Sequence, residues 1–523
     1  MLPVDARLTR ALRNPWLLGA AGALLAWLNI GVDIVGPDQQ LYIPFVRHFA
    51  NSAIHPGDYI FDNENYRATL FVPLVGTLHR WLGGDLVPLL LAFHFGALFL
   101  LFSGLAAATA RIDRGTAPAW VVAFLSWPPP VPGAAAALWE PSPHPRTLAV
   151  ALAIWALRHA ADRRAVATAV LAVASAWIHP LLGGAALLGG IFAIGWDRRL
   201  MTYLATAGLM FGAARLTWGA QGTALPLAPA QWWLDVATSG FLWLARWQWP
   251  QWASLLTWSA LFAVAARALR DDDAGRDDAG RRMVRFGLAA APLFALYVIG
   301  GALRSPLLVA MQLHRGLFIL IVVAVIGVGH ALETARRRGD LPLALYVACA
   351  ALPLTHSLVI VSGGLLATLL ATTLPSLPRA AKLALAALLG LALAARVRPS
   401  QRQHVLGEPD WLALQRWAAS STSSTTRFLA PLHLPDFRVF SERASVVGVQ
   451  DGQPTIFNRA LAEAWQARRH AVDGYATHDC AALAAAAQRF AADDLVTDFD
   501  CPLPLVHQEG RYRVYSSAKM PSP

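Results

Sequence analysis

The chain has 523 residues, of which 56% are hydrophobic and 14% are charged, and its mean hydropathy is +0.45. A soluble domain carries about 25% charged residues, so this composition excludes an ordinary soluble protein and indicates a polytopic membrane protein. The net charge of +11 reflects Arg residues in short clusters between apolar runs. No basic stripe with interleaved aromatic residues is present, so we expect no nucleic-acid partner.

Apolar runs recur along the first three quarters of the chain. At about 20 residues per crossing, they predict an all-α bundle of roughly thirteen transmembrane helices. The first run, near Trp16 to Val35, is long for a signal peptide, so we expect a retained helix. Arg7, Arg10 and Arg13 precede it. The positive-inside rule therefore predicts a cytoplasmic N-terminus and places Asp38 on the opposite face.

The composition changes near Pro399, which divides the chain into a transmembrane domain (1–398) and a small α/β domain (399–523). In the second domain "EPDWLALQRWAAS" is helical in pattern, whereas "TRFLAPL", "FRVFSERASVVGV", "DDLVTDF" and "YRVYSS" are strand-like. An odd number of spans predicts that this domain is extracytoplasmic. Cys480 and Cys501 would then lie where a disulfide persists, although Cys349 shows that cysteine also serves as an apolar filler here.

Polar residues cluster where the first membrane helix ends, in the stretch "GPDQQLYIPFVRHFANSAIHPGDYIF". Asp38 and Tyr42 are four residues apart, so in a helical loop they share one face. Taken alone, Asp38 could equally be a solvated loop residue. Arg47 and Asp58 follow in the same loop, and these neighbours favour a functional site.

The next outside loops add further polar groups at the same predicted face. Glu140, His144 and Arg146 precede a helix that returns to the cytoplasm, and His179 ends the helix that comes back out. An interfacial Arg can simply extend its charge to the headgroups, and a His-Pro pair often only ends a helix. These structural interpretations remain open alternatives for Arg146 and His179.

Two later stretches lie at the same face. "LRSPLLVAMQLHRGLF" holds Arg304 and Arg315, which either belong to the site or anchor helix ends at the headgroups. The tryptophans from Trp232 to Trp252 form either an interfacial belt or a stacking platform for a sugar.

The first outside loop resembles the opening of a known family. It reads Asp38-Gln39-x-x-Tyr42, then Arg47, then Gly57-Asp58. This order is similar to the Asp-Glu-x-x-Tyr, Arg and Gly-Asp pattern of the GT-C superfamily of membrane glycosyltransferases, such as protein O-mannosyltransferases and the aminoarabinose transferases of lipid A. Gln39 stands where the family often has Glu.

The resemblance continues into the next helices and then becomes architectural. The stretch from Glu140 to Arg164 is similar to the second-loop acidic residue and the descending helix of the family. "AVLAVASAWIHPLLGGAALLGGIFAIGWDRR" resembles a helix pair that turns at a Lys-Gly-Pro-like corner, with His179 where Lys is common. The chain is most similar to bacterial members, which implies a bacterial inner membrane.

The resemblance implies transfer of a sugar from a polyprenyl-phosphate donor to an acceptor at the extracytoplasmic face. Asp38 would act as the general base, with Glu140 as the second catalytic residue. The remaining candidates would bind substrate: Gln39, Tyr42, Arg47, Asp58, His144, Arg146, His179, Arg304 and Arg315. No cofactor is predicted with certainty, and a divalent cation between Asp38, Asp58 and Glu140 stays open.

Two other functions compete with this interpretation. A transporter or flippase for lipid-linked substrates would also hold ionisable groups in a helix bundle, but it would more often place them at mid-membrane depth. A GT-C-like scaffold without activity is the other alternative, and Gln39 in place of Glu keeps it open.

Overall fold

The structure is a computed structural model that describes residues 11–61, 69–113, 115–218, 242–271, 278–338 and 408–517, with residues 378 and 380. Its larger part is a bundle of helices around one apolar core, which includes Leu101, Ile154 and Ile321. The helices of this part are α1 (Pro15–Ile30), α2 (Gln39–Ala50), α3 (Phe71–Leu82), α4 (Leu86–Ile112), α5 (Ala117–Leu125), α6 (Pro145–Ala161), α7 (Ala165–Ile178), α8 (Pro180–Ile194), α9 (Arg198–Trp218), α10 (Trp249–Asp271), α11 (Ala279–Leu288), α12 (Ala290–Ala302), α13 (Pro306–Ala310) and α14 (Leu317–Arg337).

Within the described residues, 4 helical stretches are long and apolar enough to cross a membrane. They are Leu86–Ile112, Trp249–Arg270, Ala279–Ala302 and Leu307–Ala335, and shorter apolar helices are α1, α7 and α8. The chain is therefore a helical membrane protein, as its composition predicts. The predicted count of thirteen spans includes residues 339–377, which lie outside the described residues, as does the predicted domain boundary at 398 and 399.

Several helices begin at a proline, and in two of them the residue before the proline belongs to the candidate site. Pro145 opens α6 and Pro180 opens α8. Proline suits this first position because its fixed φ is already helical and its missing N–H would have no partner there. His144 and His179 therefore occupy the N-cap positions of two helices.

A short hairpin lies in the loop between α5 and α6. β1 (Pro130–Val131) pairs with β2 (Ala136–Ala137) in an antiparallel register. Gly133 lies between them with φ 68° against the Trp247 ring, where a Cβ atom would clash. Trp247 is buried and packs on Tyr297 and His314, while Trp232 and Trp233 lie outside the described residues.

The C-terminal part is a small α/β domain, as predicted, here called the tail domain (residues 408–517). Its helices are α15 (Pro409–Ser421), α16 (Arg438–Ser441), α17 (Arg459–Ala471), α18 (Gly474–Thr477) and α19 (Cys480–Arg489). Its strands are β3 (Arg427–Leu429), β4 (Ala444–Ser445), β5 (Asp494–Thr497), β6 (Leu505–Glu509) and β7 (Tyr512–Ser516). The 5-stranded sheet has the order β4-β3-β5-β7-β6, with β3 parallel to both neighbours and the β6 and β7 pairs antiparallel. Cys480 and Cys501 form a disulfide.

One predicted strand of this domain is wrong in its first half. The segment "FRVFSERASVVGV" forms the short helix α16 before the two-residue strand β4. Asp436 causes the turn, because its Oδ1 accepts the backbone N–H of Arg438 at 2.9 Å and so competes with extension. The turn directs Arg438 into the buried cluster described below.

The tail domain and the segment that follows α1 share one apolar core. Ile34, Phe45 and Ile60 from the loop region belong to the same buried cluster as Leu429 and Val446 from the tail domain. Shared burial of this kind stabilises the docked arrangement. The tail domain is therefore held against the loop that carries Asp38.

Candidate functional site

Asp38 occupies the N-cap position of α2, yet its side chain caps nothing there. An Asp at this position usually accepts the exposed N–H groups of its own helix. The Asp38 carboxylate instead faces groups at the end of the α5–α6 loop and groups of the tail domain. Because the Asp38 carboxylate makes these long-range contacts, α2 has no side-chain cap at its N-terminus.

Both oxygens of the Asp38 carboxylate accept hydrogen bonds. Oδ2 accepts from His144 Nε2 at 2.7 Å and from Arg146 Nη2 at 2.6 Å. Oδ1 accepts from Gln453 Nε2 at 2.7 Å. A carboxylate has about four acceptor sites, so one position on Oδ1 is left for a further donor.

His144 is held in one tautomer by its two nitrogens. Its Nδ1 accepts the backbone N–H of Arg146 at 3.0 Å, which caps α6, so the ring proton lies on Nε2 and is donated to Asp38. Burial, followed by the charge of Arg146, lowers the pKa of His144. The imidazole is therefore neutral at pH 7 and orients the carboxylate without adding charge.

Asp38 is ionised despite its burial. Burial alone would raise the pKa of this carboxyl, but the hydrogen bond from His144 and the charge of Arg146 outweigh it and hold the pKa well below its usual range. Burial and the neighbouring Asp38 charge raise the pKa of Tyr42, which stays neutral. Tyr42 packs edge-on against the His144 ring, with 5.2 Å between ring centroids.

Arg146 lies between two carboxylates. Besides its bond to Asp38, its Nη2 is 3.4 Å from Glu140 Oε1. Glu140 Oε1 also accepts the backbone N–H of Ala137 at 3.2 Å, so the hairpin orients it. The buried Nε of Arg146 has no hydrogen-bond partner among the described residues.

A second guanidinium and a second imidazole complete the cluster. Arg315 interacts electrostatically with Arg146, Asp38 and Glu140, and His179 interacts with Arg315 and Asp38. In the described part of the chain, the buried Arg315 Nε and His179 Nδ1 also have no partner. Buried donors of this kind cost free energy unless an acceptor satisfies them.

Gln39 joins the start of α2 to the α5–α6 loop. It is fully buried, and its Nε2 donates to the carbonyl of Pro143 at 2.7 Å, directly before His144. The structure therefore brings together most of the predicted residues. Gln39 holds the segment before His144 in place through its bond to Pro143. The members of this Asp38 cluster are Asp38, Gln39, Tyr42, Glu140, His144, Arg146, His179 and Arg315.

The structure places two predicted residues elsewhere, against the tail domain. Arg47 donates through Nη1 to the carbonyl of Val439, and its Nε lies 3.5 Å from Glu442 Oε1. Asp58 binds Arg438 through two bonds of 2.6 and 3.1 Å. Both side chains connect the loop to the tail domain.

The Arg438 cluster is a buried network of one guanidinium and three carboxylates. Arg438 also donates to Asp436 at 2.7 Å and to Asp451 at 3.1 and 3.2 Å. Tyr59 donates its hydroxyl to Asp451 Oδ2 at 2.7 Å. All three carboxylates therefore have charge-assisted bonds, and the loop and the tail domain contribute to the same network.

Arg304 lies apart from the Asp38 cluster. It is exposed in the turn after α12 with φ 48°, and no contact with the described residues of the cluster is observed. The described residues also contain no group of three or more His, Cys, Asp or Glu side chains that could hold a metal ion. Asp58 is bound to Arg438 and does not join Asp38 and Glu140.

No residue of the tail domain is among the site residues predicted from the sequence. Gln453 contacts Asp38 although 415 positions separate them. Arg438 contacts Asp58 across 380 positions. No local signal marks either residue, because both contacts arise only when the tail domain docks.

One family model matches the sequence, described as "Domain of unknown function (DUF6798)", over residues 409–472. This segment covers α15 to α17 of the tail domain and is well under half of the chain. No curated protein matches the sequence.

Solved structures of an archaeal oligosaccharyltransferase and of ArnT are similar to this one at low sequence identity. The oligosaccharyltransferase of Archaeoglobus fulgidus, tethered with an acceptor peptide, is 12% identical with a TM-score of 0.47, over 92% of this chain and 68% of its own. AglB from Archaeoglobus fulgidus in complex with an inhibitory peptide and a dolichol-phosphate is 11% identical with a TM-score of 0.44, over 92% and 69%. ArnT from Cupriavidus metallidurans bound to undecaprenyl phosphate is 14% identical with a TM-score of 0.43, over 97% and 99%. At this level of likeness, the function has to be argued from the residues of the site.

Proposed function

We propose that this protein is a membrane glycosyltransferase that moves a sugar from a polyprenyl-phosphate donor to an acceptor at the extracytoplasmic face. The observation that carries the proposal is the Asp38 cluster. It combines an ionised carboxylate with two guanidinium groups whose buried Nε donors have no partner among the described residues. A base beside an anion-binding site is what transfer from a phosphate leaving group requires.

The base in this proposal is Asp38. Its Oδ1 retains one acceptor position, which can take the proton of an acceptor hydroxyl as the oxygen attacks the anomeric carbon. The bond from this oxygen to the anomeric carbon forms while the bond from the carbon to the phosphate oxygen breaks, and the configuration inverts. General-base catalysis of this kind contributes typically about 10² to 10⁴ in rate.

The phosphate in this proposal is bound by Arg146 and Arg315. A guanidinium holds two phosphate oxygens at once, and the charge that develops on the leaving phosphate strengthens both contacts in the transition state. The N-termini of α6 and α8, marked by His144 and His179, add positive potential at the same place. Glu140 and His144 keep Arg146 and Asp38 in position.

Arg47 and Asp58 have a supporting role in this proposal. They join the loop that carries Asp38 to the tail domain and do not contact substrate. The tail domain then covers the site from the extracytoplasmic side. The Cys480–Cys501 disulfide suits an oxidising compartment, which supports this orientation in a bacterial inner membrane.

The experiment that tests the proposal separates a transferase from a flippase. Purified protein is reconstituted in liposomes with radiolabelled polyprenyl-phosphate sugars and an envelope extract as acceptor source. A transferase moves label from the lipid to extract components and leaves polyprenyl phosphate. Label that crosses the bilayer while still attached to its lipid would contradict the proposal, and so would unchanged label on both sides.

A further inference from the structure

We propose that Gln453 of the tail domain is the acceptor-recognition residue of this site, which positions Asp38 and binds a second polar group of the acceptor. The inference rests on the proposed function and adds a class of acceptor to it. That class is a hydroxyl compound with another O–H or N–H group beside the attacking hydroxyl.

The amide orientation of Gln453 is determined by its partners. Asp38 is ionised and can only accept, so the group 2.7 Å from its Oδ1 must be the Nε2 of Gln453. The same Nε2 also donates to Gln450 Oε1. Both amide protons are used, and the carbonyl Oε1 of Gln453 is the part of the side chain left to accept.

Gln453 therefore presents an acceptor beside the base. The attacking hydroxyl donates its proton to the remaining position on Asp38 Oδ1, next to the Gln453 amide. A neighbouring O–H or N–H of the same acceptor molecule then reaches Gln453 Oε1. Gln453 is exposed, so this contact needs no rearrangement of a core.

The Arg438 cluster holds Gln453 in this place. Asp451 lies two residues earlier, and it is buried with bonds from Arg438, Tyr59 and the backbone N–H of Gly448. The backbone N–H of Gln453 donates to the carbonyl of Gln450 at 3.0 Å and closes the turn that starts at Gly448. The Arg438 cluster thus stabilises the short turn that places Gln453 beside Asp38.

The inference predicts a change in the competition between acceptor and water. Water can also donate its proton to Asp38 and attack the anomeric carbon, which releases free sugar and polyprenyl phosphate. Water gains nothing from a second contact with Gln453, whereas the proposed acceptor does. Loss of the Gln453 carbonyl should therefore favour hydrolysis over transfer.

The test measures transferred label and free labelled sugar in one assay, with radiolabelled polyprenyl-phosphate sugars and envelope extract. In Gln453→Met the ratio of transfer to hydrolysis should fall about two- to tenfold, the effect of one lost hydrogen bond. The half-saturating amount of extract should rise, while total donor consumption changes less. Gln453→Asn keeps a polar amide but shortens the side chain. The same fall in the ratio of transfer to hydrolysis is therefore expected for this variant.

Controls separate the possible failures. Gln508→Met changes an exposed glutamine of β6 in the same domain and should leave the ratio as in the wild type. Binding of undecaprenyl phosphate should be equal in wild type and Gln453→Met. A wild type that transfers, with an unchanged ratio in both Gln453 variants, would overturn the role of Gln453 alone. A wild type that neither transfers nor hydrolyses the donor would overturn the proposed function as well.

Discussion

The Nε2 of His144 lies 2.7 Å from Oδ2 of Asp38, and only one tautomer of the imidazole fits this contact. Because His144 Nδ1 already accepts a backbone N–H, the ring donates to the carboxylate. Arg146 donates to the same oxygen at 2.6 Å. Oδ2 is therefore used for positioning and charge balance, and Oδ1 is the oxygen from which the proposed chemistry proceeds.

Arg146 and Arg315 should determine the affinity for a lipid phosphate. Replacing either one by Met removes charge-assisted hydrogen bonds of about 1.5–3 kcal/mol, so the affinity should fall about 10- to 100-fold. The measurement is binding of undecaprenyl phosphate in detergent. Arg304→Met is the matched comparison, because Arg304 is exposed and lies apart from the cluster. An equal loss of affinity in Arg146→Met, Arg315→Met and Arg304→Met would indicate a general effect of surface charge and would contradict the prediction.

Arg438 should be the most sensitive residue of the domain interface. Arg438→Met leaves three buried carboxylates without their cation, and breaking a buried charge network costs about 3–5 kcal/mol. The expected result is a lower melting temperature and release of the tail domain to proteolysis. Arg511→Met removes an exposed pair with Glu408 and should lower the melting temperature much less. A similar small effect for Arg438→Met would contradict the role of the network.

The same network predicts how stability depends on pH. Burial, with the charges of Asp436 and Asp58, raises the pKa of Asp451 to about 6 from an ordinary 3.8, despite the opposing charge of Arg438. Between these values the folded state binds more protons than the unfolded state, so the free energy of unfolding falls as pH rises from about 4 to 6. One such proton contributes at most about 1.4 kcal/mol per pH unit.

Asp451→Asn tests this sign. The variant removes the titrating group, so its melting temperature should change less between pH 4 and pH 6 than that of the wild type. Asp494→Asn is the comparison variant. Burial also raises the pKa of Asp494 to about 6. This residue lies on β5, outside the Arg438 cluster. The same dependence of melting temperature on pH in Asp451→Asn and in the wild type would refute the assignment.

The Cys480–Cys501 disulfide should stabilise the tail domain. It closes a loop across 21 positions, and for a loop of this size chain entropy predicts about 3 kcal/mol. Cys480→Ser with Cys501→Ser should lower the melting temperature, and dithiothreitol should have the same effect on the wild type but none on the double variant. Cys349→Ser serves as the thiol control. Insensitivity of the wild type to dithiothreitol would show that the bridge is absent or inert.

Much of the Asp38 cluster could be predicted because its signals are local. Asp38 and Tyr42 share one helix face, and His144 and His179 precede helix-starting prolines, so short-range rules place them at helix ends on one side of the bundle. The sequence alone does not show that Asp58 faces Arg438. Both lie in polar loops, and only the apolar core shared between the loop and the tail domain brings them together.

The tail domain shows the same limit at the level of secondary structure. The pattern of "FRVFSERASVV" predicts a strand, but the Asp436 side chain captures the backbone N–H of Arg438 and starts a helical turn. The stretch "YRVYSS" forms β7 as predicted, whereas its hairpin partner β6 is not among the predicted strands. Side-chain bonds to the backbone override periodicity most easily in short segments such as α16.

The decisive experiment compares sugar transfer by Asp38→Asn with that of the wild type, with a thermal melt of both proteins. Asn has nearly the same shape as Asp and can still accept from His144 through its carbonyl oxygen, but it cannot take the proton of the acceptor. Transfer by Asp38→Asn should fall at least about 10²-fold, with undecaprenyl phosphate still bound and the melting temperature little changed. Transfer at the wild-type rate by a folded Asp38→Asn protein would contradict the role of Asp38 as the general base.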